Sequence, residues 1–92
     1  MRFMENAQGI WKTSDFYSAV VVKSSNIPLF TIEKENDRFV NFIFKASEDK
    51  CEEILNKHWN GDLRISSKIL VDTIKELKTR LYEKVRGEKS YE

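Results

Sequence analysis

Hydrophobic and polar positions follow two different periods along this chain, and the switches between them mark the elements. In KTSDFYSAVVVKSSN, residues 12–26, Phe16, Ala19, Val20 and Lys23 share one helical face. The three consecutive valines favour strand on propensity. Asn26 suits a helix C-cap, however, and Pro28 follows two residues later. Thr13 or Ser14 can cap the start, where Asp15 favours the positive end of the dipole. The spacing predicts a helix over about Ser14 to Ser25, with Val21 and Val22 widening its buried stripe past one face.

The next stretch, IPLFTIEKENDRFVNFIFKAS, reads as two strands around a polar turn from Lys34 to Asp37. In the second strand Val40, Phe42, Phe44 and Ala46 point one way, and Phe39, Asn41, Ile43 and Lys45 the other. In the first, strict alternation sets Phe30 and Ile32 opposite Leu29 and Thr31. Apolar residues on both faces call for cover on both. Helices are expected on one face, and either the N-terminal segment, with Ile10 and Trp11, or a second copy of the chain on the other.

The helical period then returns. Ser47 caps a helix that opens with Glu48 and Asp49, and Cys51, Ile54, Leu55, His58 and Trp59 form one buried stripe at i, i+3, i+4, i+7, i+8 spacing. Asn60-Gly61 ends it. A last helix begins at Ser66, with Ile65 and Leu70 at the spacing of a hydrophobic staple. Leu70, Ile74, Leu77, Leu81 and Val85 continue it as a narrow stripe, and Gly87 is its stop. The order α-β-β-α-α predicts an α+β fold, with helices packed on a β-hairpin. A single small domain is expected over residues 12–87. Residues 1–11 form an extension able to cover the sheet, and 88–92 a frayed tail.

Composition sharpens this reading. With 92 residues the chain is the size of one domain, and eleven aromatics (6 Phe, 3 Tyr, 2 Trp) are too many for a disordered one. The one cysteine makes no internal disulfide. The N-terminus MRFMENAQGIWK has no apolar signal-peptide core, and no apolar run approaches spanning length. A soluble, cytoplasmic protein without a membrane partner is expected.

The only cysteine and only histidine fall in CEEILNKHWNGD, residues 51–62. Seven residues along one helix separate Cys51 from His58 by about 10 Å, beyond the reach of a catalytic thiol–imidazole pair. Two such ligands fall short of the four a structural zinc takes. Phosphate-cradling glycine loops and the G-x-S-x-G elbow are missing. Cys51 reads as a core residue, His58 as the edge of the stripe. No catalytic residue, metal, cofactor or small-molecule substrate is expected, and no enzymatic activity.

Net charge is +1 but uneven: +1 over residues 1–30, −3 over 31–56 (seven acids, four bases) and +3 over 57–92 (nine bases, six acids). On a wheel with Leu70 at zero, the apolar stripe of the last helix runs from about −20° to +60°. Lys78, Lys89, Tyr82, Lys75, Lys68 and Arg86 fall between about 80° and 160°, and Asp72, Glu76 and Glu83 between about 200° and 240°. Five bases and a tyrosine on one flank suit a nucleic-acid backbone and an unstacked base. They equally describe a solvated face whose lysine stems lie over apolar atoms. RFVNFIFK, residues 38–45, has the aromatic spacing of an RNA-recognition strand but lacks that motif's glycine and its four-strand order. Leu29, Phe39 and Ile43 offer a rival surface, an apolar patch on the outer sheet face suited to self-association or a protein partner.

The segments KTSDFYSA (12–19), VNFIF (40–44), HWNG (58–61) and SSKIL…LKTRLY (66–82) together resemble a family of small bacterial and phage domains of unknown function. In that family a T-S-D-led helix is followed by a hairpin and a final helix with an L-K-x-x-L-like segment. The resemblance covers about residues 12–82 and departs at SSNIP, where members often carry glycine. It implies a helix over 14–25 and a bacterial or mobile-element accessory protein, and transfers no site residues. The sequence thus leads to a non-enzymatic nucleic-acid-binding module, with a protein-interaction or homodimerisation domain as the alternative.

Overall fold

The computed structural model describes residues 9–36 and 38–87. They form β1 (Trp11–Thr13), α1 (Phe16–Ser24), β2 (Leu29–Lys34), β3 (Val40–Phe44), α2 (Glu48–Trp59) and α3 (Ser67–Gly87). The α-β-β-α-α order is therefore present, with one strand added before it. The sheet is antiparallel in the order β1-β3-β2. Three residues are too few to show an alternation, so β1 is set by its pairing with β3, Trp11 opposite Phe44 and Thr13 opposite Phe42.

α1 is the centre of the fold. Its cap is Asp15 rather than Thr13 or Ser14: Asp15 Oδ2 accepts from the backbone N–H of Ser18 at 3.0 Å and from the Ser18 hydroxyl at 2.6 Å. Ala19, Val20, Val21 and Val22 are all buried. Burial on every side outweighs the strand preference of three valines, because α1 touches β1, α2 and α3. Ser25 closes the helix, and Asn26 follows in the left-handed region at φ 76°. Ser47 caps α2 through its hydroxyl, which accepts from the N–H of Lys50, and the Ser66 hydroxyl similarly accepts from Ile69 at the start of α3. At the end of α2, Asp62 donates to the Lys57 carbonyl and Gly61, at φ 80°, to that of His58. This is the paired closure of a Schellman motif.

One sheet face carries the core. Ile32, Phe42 and Phe44 are buried there against Val20, Val22, Cys51, Leu55 and Leu77, with Trp11, Leu29 and Val40 at the margin. Two expectations change here. Leu29 joins the core face because a bulge between Leu29 and Thr31 inserts Phe30 and resets the alternation, leaving Thr31 opposite Ile43. Trp11 likewise turns to the core face, in register with Phe44, while Ile10 is exposed. Residues 1–8 and 88–92 of the expected extension and tail lie outside the described residues.

Candidate nucleic-acid interface

α3 buries a narrow strip, Leu77 and Thr73, with Leu70, Ile74, Leu81 and Val85 half-buried beside it. This docks the helix on α1 and β2. On the side toward α1, Glu76 accepts from Lys23 at 3.2 Å and lies 3.8 Å from Arg80, so an ion pair ties the two helices together. The opposite flank leaves Lys68, Lys75, Lys78 and Tyr82 exposed, as the wheel requires. Lys89 and the Arg86 side chain lie outside the described residues.

An acid borders the start of the flank. Lys68 Nζ stands 2.9 Å from Asp72 Oδ2, both exposed. Asp72 lies only about 40° around the helix from Lys68 and one turn on, within reach of a long lysine stem. Their hydrogen bond, and then their mutual charge, raise the Lys68 ammonium above its ordinary pKa and lower the Asp72 carboxyl below its own; the charge of Lys75 lowers Asp72 further. The start of the flank is therefore partly compensated.

There the helix meets the hairpin turn. The Asn36 side-chain oxygen accepts from the backbone N–H of Arg38 at 2.8 Å and of Phe39 at 3.0 Å, and the Phe39 carbonyl accepts from Glu35 at 2.8 Å. These bonds set Phe39 just before β3, outside the core and 53% exposed. Phe39 and Val40 from the hairpin and Leu81, Tyr82 and Val85 from α3 line a groove of about 460 Å³. Lys34, Asn36 and Arg38 complete its lining among the described residues. Tyr82 is 59% exposed, so two aromatic rings meet solvent at one groove beside two bases.

Sequence reading placed Tyr82 and Lys78 here but passed over Lys34 and Arg38, which looked like ordinary turn polarity. The available signal was an aromatic directly after a turn with a base near each end, KENDRF. The expected patch of Leu29, Phe39 and Ile43 does not assemble. Leu29 packs on the core face, Ile43 lies on the outer face and is only 8% exposed, and Phe39 belongs to the groove.

The chemistry-bearing residues of α2 also separate. Cys51 is buried, and burial pushes its thiol pKa up, helped by the Glu52 charge and opposed by Lys50. His58 is exposed and its ring centroid stands 4.8 Å from that of Trp59. Trp59, expected in the buried stripe, is 69% exposed. α2 packs on α1, and its buried residues are Cys51, Ile54 and Leu55, with none in its last turn. Among the described residues no three His, Cys, Asp or Glu side chains gather as a metal site, and no helix is long and apolar enough to cross a membrane. No protein-family model, curated protein or solved structure matches the chain.

Proposed function

We propose that the protein is a non-enzymatic nucleic-acid-binding module whose contact surface runs along the basic flank of α3 into the groove at the β2–β3 turn. The observation that carries this reading is the groove itself, where exposed Phe39 and Tyr82 stand in one lining with Lys34 and Arg38. Lys78 and Lys75, one and two turns before Tyr82, extend the cations along the helix. Phosphates supply the charge that such a row neutralises, and released counterions make the affinity depend on salt. The bacterial or mobile-element accessory setting implied by the sequence resemblance accords with this role by association alone.

The test is binding of fluorescent single-stranded and duplex oligonucleotides across a salt series, with Lys75→Glu/Lys78→Glu as the control. Four phosphate contacts predict a slope of log affinity on log salt of about −3. The charge-reversed variant should bind at least about tenfold more weakly. Absence of binding at low salt would sink the reading. A protein-interaction or homodimerisation role would then lead, with sedimentation of the free protein as its first test.

A further inference from the structure

We infer that the groove receives an unpaired base, so that the protein engages single-stranded rather than duplex nucleic acid; this rests on the nucleic-acid reading above. A duplex keeps its bases stacked, so it offers side chains the base edges and the phosphates but not the ring faces. Phosphate contact alone needs cations and makes no use of exposed aromatic rings. Here Phe39 and Tyr82 line a groove together with Val40, Leu81 and Val85, with Lys34 and Arg38 among its lining residues. Its volume of about 460 Å³ lies within the roughly 300–1,000 Å³ of small-ligand sites. A compact anion would make no use of cations beyond the groove. The cations instead continue along α3 through Lys78 to Lys75, about 10 Å before Tyr82. An extended polyanion with a base to insert matches both features, and base–aromatic stacking tolerates any sequence.

The test measures the affinity of the full chain for three fluorescent probes: a single strand, its duplex, and the same strand with abasic sites in place of its bases. The single strand should bind at least about tenfold more tightly than the other two. Phe39→Ala and Tyr82→Ala should each weaken single-strand binding by about 5- to 150-fold and leave duplex and abasic binding unchanged. Tyr82→Phe, which keeps the ring, should bind as the parent does. Both positions are exposed, and circular dichroism checks that each variant folds. Equal affinity for all three probes, or aromatic variants without effect while Lys75→Glu/Lys78→Glu abolishes binding, would overturn the base-insertion inference and leave the nucleic-acid reading standing. Failure to bind any probe at low salt would overturn both.

Discussion

Trp11 and Phe44 face each other across the β1–β3 ladder, their ring centroids 5.7 Å apart at 46°. Phe44 is fully buried, and Trp11 closes over it from the sheet edge. A three-residue strand has few ladder bonds, so this contact carries much of what holds β1 in place. Trp11→Ala should lower the unfolding free energy by about 2–3 kcal/mol, somewhat less than a fully buried aromatic because Trp11 is half-buried. Trp59→Ala, at an exposed position, should change it by less than about 0.5 kcal/mol. Urea denaturation of the two variants checks this, and equal costs would contradict the placement of the two tryptophans.

Cys51 has no surface from which a reagent could reach it. Its thiol should react with a disulfide reagent at least about a hundredfold more slowly in the folded protein than in denaturant, the rate reporting local opening. Cys51→Ser places a hydroxyl in the core and should cost about 1–3 kcal/mol. Because burial raises the folded thiol pKa, the stability it contributes is complete below the ordinary value of about 9.0 and is lost as pH rises through the folded one. A thiol titrated at once in the native protein would refute the burial.

Most of the fold was legible because its signals are local. The caps Ser47 and Ser66, the stop at Asn60-Gly61 and the period-two face of Val40, Phe42 and Phe44 each express one rule within a few residues. The misreadings arise where a distant element decides. The bulge at Phe30 turns Leu29 inward, which strict alternation cannot reveal. Burial in α2 stops at Leu55 and leaves Trp59 exposed, which the helical period alone cannot reveal. The groove was partly legible: a wheel finds Tyr82, but only the packing of α3 beside the hairpin brings Phe39, Lys34 and Arg38 to it.

Two helices end through left-handed residues of different kinds, Asn26 at φ 76° and Gly61 at φ 80°. Asparagine tolerates this conformation better than alanine, and glycine carries no Cβ penalty. Asn26→Ala should therefore cost about 1 kcal/mol while Asn26→Gly matches or exceeds the parent. Gly61→Ala should also cost about 1 kcal/mol through strain alone, since a Cβ there meets no neighbouring atom within 4 Å. Thermal or urea unfolding of the three variants distinguishes these outcomes. A Gly61→Ala variant as stable as the parent would remove the conformational argument.

Asp72 is the acid that interrupts the basic flank, and its removal separates its structural from its functional effect. Lys68 holds the Asp72 carboxyl below its ordinary pKa of 3.8, chiefly by their hydrogen bond. Any stability this gives is present above that value and is lost as pH falls through the folded pKa. Both groups are fully exposed, so solvent and salt screen the pair and Asp72→Asn should leave the unfolding midpoint unchanged within error. An NMR titration should show the Asp72 carboxyl returning toward 3.8 in Lys68→Ala. On the proposed interface the same Asp72→Asn substitution uncovers Lys68 and lifts a repulsion from the phosphates. Oligonucleotide affinity at low salt should rise roughly two- to fivefold, and the gain should shrink as salt is added. A fall in affinity would mean that the pair orders the flank for binding. Unchanged affinity at every salt concentration would place the contact surface away from this end of α3, confined to Lys78, Tyr82 and the groove.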